Sequence, residues 1–280
     1  MATELVITPG GPRPADRVHE VKPGHVIDQS GGRLRVLDEA GNVVNDYGLV
    51  AQRDAGHLTR PDQIATPLDD THGLQSGWIT YASWLNNTGQ LVSNIVSTWT
   101  VPAAPTTNHG QTIFLFNGIE TADFGHILQP VLQWGPSAAG GGASWQVASW
   151  YAGGPGQVAQ HAPLTPVSVG QTLVGGITWT NESGAGYTYL CGFQGIPNSV
   201  IVAQNIPELT WVVQTLETYN CQVASDYPDT TTTKFTSIGV DVGSNAQPAA
   251  SLAWAATDAV TDIGQNTVVV GQGEVDINYT

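Results

Sequence analysis

Apolar positions in this chain come in short runs, without the three- and four-residue spacing of an amphipathic helix, and no long stretch is bounded by helix caps. β-Branched and aromatic residues cluster instead at Gly77–Leu85, Ile95–Val101, Thr112–Ile119, His126–Trp134, Ser144–Tyr151, Thr172–Thr180, Tyr187–Phe193, Ser199–Gln204, Thr210–Thr218, Lys234–Val242, Leu252–Thr257 and Thr267–Val270. Gly, Pro, Asn or Ser separates most of these runs. Many short strands with such turns predict an all-β fold, a sandwich or barrel. Nearer the start, Arg33–Leu37 and Asn42–Val44 flank Asp38-Glu-Ala-Gly41 and predict a small hairpin. Alternation assigns faces within a strand. In the run Thr210 to Glu217, Val212, Gln214 and Leu216 go one way, and Trp211, Val213, Thr215 and Glu217 the other.

Charge divides the chain more sharply than hydropathy does. Of its 280 residues only 11% are charged, against about 25% in an ordinary soluble domain, and the net charge is −15. Residues 1–75 hold seven of the eight basic residues, and residues 76–280 hold Lys234 alone against twelve acids, together with all nine Trp. Two units are therefore expected, 1–75 and 76–280, joined through the Pro- and Gly-punctuated stretch 61–77. So few cations cannot neutralise a phosphate backbone or an anionic leaflet, which excludes nucleic acid and the membrane surface as partners. They also leave little positive charge to repel itself when carboxylates protonate, so acid tolerance is expected of the larger unit.

Cys191 and Cys221 allow one intrachain pairing, and the count does not choose between a disulfide and two thiols. Sequons at Asn86, Asn181 and Asn278 lean toward an oxidising compartment, so Cys191 and Cys221 are the candidate disulfide pair. The first residues have neither a basic n-region nor an apolar h-region, and no apolar run is long enough to span a bilayer. The expected location is outside the cell if a signal peptide has been removed or is absent from this chain, and otherwise the cytoplasm. No phosphate-binding loop, no Gly-x-Ser-x-Gly elbow and no ligand-spaced histidine and cysteine pairs occur, so neither a cofactor nor a metal is expected.

Six fragments occur in order: Ser97-Thr-Trp-Thr-Val-Pro102, Ile113-Phe-Leu-Phe-Asn-Gly-Ile-Glu120, Ile127-Leu-Gln129, Trp145-Gln-Val-Ala-Ser-Trp-Tyr151, Val169-Gly-Gln-Thr-Leu173 and Trp211-Val-Val-Gln214. Over residues 76–280 this resembles the fungal glutamic peptidases, or eqolisins. The resemblance implies a two-sheet antiparallel sandwich of the concanavalin A type. It also implies a glutamate and a glutamine facing each other on a concave sheet. The glutamate is general base to a water and then acid to the leaving amine, and the glutamine polarises the oxyanion. Gln129 matches the glutamine, but the glutamate position holds Gln214, which cannot take a proton. Glu217 has the opposite parity and is expected to point away from the cleft. Glu120 matches an acidic position near the family's site, and a further acidic position is Ser149 here.

Gln129, Glu120 and Gln214 are thus the candidate catalytic positions, and Phe116, Trp134, Trp150 and Trp211 candidate walls of the cleft, although tryptophans also serve as core. Three functions stay open: an acid-tolerant relative of the peptidases that binds peptide with its base replaced, a lectin-like sandwich binding peptide or glycan, and an acid/base enzyme using Glu120 on a small apolar substrate. The basic residues of 1–75 would suit a prosegment clamped on an acidic enzyme at neutral pH.

Overall fold

A computed structural model describes residues 4–50, 77–153 and 157–279. The N-terminal part carries β1 (Leu5–Thr8), β2 (Gly11–Pro14), β3 (Val18–Glu20), β4 (Val26–Asp28), β5 (Arg33–Leu37) and β6 (Val43–Leu49). Next come β7 (Gly77–Leu85), β8 (Val92–Thr100), β9 (Thr112–Glu120), β10 (His126–Ser137), β11 (Gly140–Gly153), β12 (Ala159–His161) and β13 (Thr165–Pro166). The rest is β14 (Thr172–Ser183), β15 (Gly186–Phe193), β16 (Ile196–Ile206), β17 (Trp211–Tyr219), β18 (Thr232–Val242), β19 (Gln247–Pro248), β20 (Ala255–Asp258), β21 (Asn266–Gly271) and β22 (Glu274–Asn278). No α-helix occurs among the described residues.

Two large sheets pack face to face, the expected all-β sandwich. One runs β20-β7-β17-β9-β10-β11-β12-β3, with β13 also pairing β11. The other runs β21-β22-β18-β8-β14-β15-β16-β4-β5-β6, with β19 on β18. Pairing is antiparallel except at two places, β3 on β12 and β4 on β16. The N-terminal segment thus adds strands to both sheets. The expected hairpin forms as β5 and β6, and its turn is built on Asp38, whose carboxylate accepts the Asn42 N–H at 2.8 Å and the Ala40 N–H at 3.0 Å. The unit boundary near residue 75, with Arg53 and Arg60, lies outside the described residues.

Between the sheets, Trp99 of β8 packs against Phe193 and Phe235 at ring distances of 5.6 and 5.0 Å. The close approach needs Gly175 on β14, where a Cβ would lie 2.6 Å from the Trp99 ring. Leu115, Ile119, Leu128, Leu132, Val212 and Leu216 are all buried, the alternate residues of β9, β10 and β17.

Candidate functional site

Register across β17, β9 and β10 decides what faces what. Val213 pairs with Gly118, and the flanking pairs Leu128–Ile119 and Val131–Phe116 put Gly118 opposite Gln129. A Cβ built on Gly118 would lie 3.3 Å from Val213 Cγ2 and Ile127 Cδ1 and 3.4 Å from Gln129 Cβ, so these residues share one face and crowd around Gly118, where only a glycine fits without their shifting. The row continues in register: Gln129 pairs with Trp150, Trp150 with His161, and His161 with Glu20 of the N-terminal strand.

Gln129 is fully buried, and neither its Nε2 nor its Oε1 has a hydrogen-bond partner among the described residues. The Trp150 Nε1 beside it has none either. Glu120 has the same parity as Gly118 and pairs with Trp211 and Ile127, which makes it a diagonal neighbour of Gln129 on the adjacent strand, at ~7–8 Å between Cα atoms. Aromatic rings surround Trp211. Trp78 stacks on it at 6.3 Å, and Tyr81 and Phe124 meet it edge-on at 6.0 and 5.0 Å. Phe116 meets Trp78 edge-on at 5.6 Å. Trp211, Tyr81 and Phe124 are half-buried, so this end of the face is the more open one.

Gln214 is on the other face. Its Oε1 accepts a hydrogen bond from Ser97 Oγ at 3.1 Å, and Ser97 belongs to β8 of the opposite sheet. Asn117, its pair on β9, donates from Nδ2 to Gly175 O at 3.1 Å, again across the sandwich. Gln214 therefore points between the sheets, back to back with Gln129, contrary to the expectation that the two face each other. Strand parity in β17 is as the sequence indicates, but the side facing the Gln129 groove is the Val213 side. Glu217 accordingly lies on the Gln129 face, not away from it. It sits four residues beyond Val213, roughly 13 Å along the strand. There its carboxylate accepts the Gly10 N–H at 2.8 and 3.1 Å and the Tyr219 hydroxyl at 2.5 Å.

Of the other expected residues, Phe116, Trp150 and Trp211 share the Gln129 face. Trp134 does not: it alternates against Gln129, Val131 and Gln133 and packs on Trp145 at 5.5 Å. Ser149, next to Trp150 in the strand, also turns inward. Cys191 and Cys221 are free and buried, which corrects the expected disulfide. One stands in β15 and the other follows β17, in opposite sheets, and burial pushes both thiols up to about 12. Among the described residues no group of three His, Cys, Asp or Glu is placed to hold a metal ion.

Sequence reasoning missed Val213, because an apolar residue in a strand carries no chemical signal. It also missed His161 and Glu20, which come from three-residue strands too short to show alternation.

No protein-family model and no curated protein matches the sequence. Among solved structures, scytalido-glutamic peptidase with a peptide-based transition-state analogue is similar at TM-score 0.51 and 16% identity, covering 74% of this chain and 100% of that one. SCP-B, a member of the eqolisin family of peptidases in complex with the tripeptide Ala-Ile-His, gives 0.46 and 16% over the same shares. With that first neighbour and the sandwich topology, the chain has the fold of the glutamic peptidases.

Proposed function

We propose that the Gln129 face binds an extended polypeptide and does so without efficient hydrolysis, because no proton acceptor stands opposite the glutamine. The observation that carries this is Gln129 itself, a buried amide with both polar atoms unpartnered, facing Val213 across a glycine. A buried polar group left unpaired costs about 1–3 kcal/mol, so such an amide is stabilised by a ligand that supplies the missing bonds. A peptide unit offers one N–H and one C=O, the complement of a glutamine amide. The rings around Trp211 offer apolar area at the open end of the face, and the neighbours in the fold include a peptidase holding a peptide-based transition-state analogue. Hydrolysis needs a base within hydrogen-bond reach of water, directly or through one more water, and Val213 cannot be one. The scarcity of cations in residues 76–280 supports a scaffold that stays folded in acid conditions.

Reduced, carboxymethylated lysozyme, unfolded at all pH values and labelled with fluorescein, is a suitable probe for anisotropy titration. The chain is expected to bind it and leave it intact, and Gln129→Leu to weaken binding at least tenfold. Equal binding by Gln129→Leu would overturn the proposal. Cleavage abolished by Glu120→Gln would instead make Glu120 the base of an active enzyme.

A further inference from the structure

The Gln129 row does not stop at Trp150. His161 lies next in register on β12, 4% exposed, its ring 4.7 Å from that of Trp150. Its Nδ1 is 2.8 Å from the Ala162 carbonyl oxygen, an atom that can only accept, so in the neutral ring Nδ1 carries the proton and Nε2 the lone pair. Across three adjacent strands, one face therefore presents an amide N–H and C=O on Gln129, an indole N–H on Trp150 and an imidazole acceptor on His161. Neither the Gln129 atoms nor the Trp150 N–H has a hydrogen-bond partner among the described residues. Donors and acceptors in that order match the alternating N–H and C=O of an extended backbone better than they match a ligand of one polarity.

Resting on the polypeptide-binding reading above, we propose that the ligand crosses the strands from Gln129 over Trp150 to His161, where a ligand N–H donates to Nε2, so that protonating His161 releases the ligand. The N-terminal segment would then belong to the working site, because Glu20 of β3 is the in-register partner that flanks His161. The titratable groups bearing on the ring are Glu20, which favours its protonated form, and His19, which opposes it. His19 in turn stacks on Tyr47 of β6 at 4.3 Å and feels Asp16 and Arg17. Burial is the largest influence and keeps the imidazole neutral to a pH below the ordinary histidine value. The chemistry is that of capture near neutrality and release in acid.

The test is anisotropy titration of the full chain with the same labelled carboxymethyl-lysozyme from pH 7.5 to pH 3.5. Wild type should lose at least tenfold in affinity on acidification. His161→Gln keeps an acceptor that does not titrate. It should bind within about threefold of wild type at pH 7.5, with the pH dependence flattened to less than threefold. His161→Phe keeps the ring stack without the acceptor and should bind at least tenfold more weakly at pH 7.5. A His161→Gln variant that retains the wild-type pH slope overturns the inference, as does full-strength binding by His161→Phe. Failure of the broader reading looks different: wild type would not bind the probe at any pH, or Gln129→Leu would bind as wild type does.

Discussion

Replacing Val213 by glutamate should convert binding into cleavage. Val213 and Gln129 are two strands apart, about 10 Å between backbones at the usual strand spacing, with Gly118 on the strand between them. Two extended three-carbon acid and amide side chains close that gap to hydrogen-bond distance or to one intervening water, the arrangement a general base and its oxyanion donor require. Val213 is fully buried, so burial would raise the pKa of the new carboxyl group, toward the range useful to an acid and base in turn. A positioned base contributes typically 10²–10⁴-fold, and a rise of that size in acid-soluble fragments from carboxymethyl-lysozyme at pH 3–6 is expected. Val213→Gln matches the size without the proton acceptor and should show no gain. Gln214→Glu puts its carboxyl between the sheets beside Ser97 and Asn117 and should also show none, while costing stability once ionised. Cleavage by Gln214→Glu but not by Val213→Glu would refute the assignment of faces.

His126, partly exposed and stacked on Tyr151 at 5.7 Å, has its pKa pushed down to about 4 by burial against a partial opposing pull from Asp123. The unfolded chain therefore binds its proton first. Stability present above pH 6.5 is lost as pH falls toward 4, by about 2 kcal/mol after allowing for that exposure, and His126→Phe should remove this share of the pH slope in urea unfolding. Asp226 is a buried carboxylate. Burial raises its pKa, but bonds from Thr107 Oγ1 at 2.5 Å, Gln222 N at 2.7 Å and His109 Nδ1 at 2.8 Å outweigh that and hold it below the usual carboxylate value. Asp226→Asn should cost about 1–3 kcal/mol near neutrality, and in wild type this contribution should disappear only as pH falls through the depressed pKa. Arg13 is 2% exposed, with its guanidinium on Gly153 O at 2.6 Å and Gln157 O at 3.0 Å. Burial shields these contacts from salt, so limited proteolysis in 1 M NaCl should leave residues 4–50 as protected as in low salt, whereas Arg13→Met should expose them.

Much of the fold is legible in hydropathy because each strand buries one side. Gly77–Leu85 is β7 to the residue, and the turn residues between Leu37 and Val43 make the hairpin visible. The two parallel additions, β3 and β4, are not legible. Three residues give no alternation, and what holds them is pairing with strands more than a hundred residues away. β22 does alternate, with Val275 and Ile277 buried, but its Glu274 and Asp276 disguise it as a loop. At the site, the pattern Gly-Ile-acid and Ile-Leu-Gln is enough to bring Glu120 and Gln129 onto one face. It misplaces Gln214, because a single strand's parity says which residues go together but not which sheet they meet. That is fixed by the Val213–Gly118 register and by Ser97 on the opposite sheet.

The most direct measurement is the side-chain amide NMR signal of each of the two glutamines, assigned with Gln129→Leu and Gln214→Leu, as unlabelled carboxymethyl-lysozyme is added to ¹⁵N-labelled protein at pH 7. The Gln129 Nε2 pair should shift and saturate with the binding isotherm, while the Gln214 pair, hidden between the sheets, stays in place. Movement of the Gln214 pair with Gln129 unchanged would contradict the account.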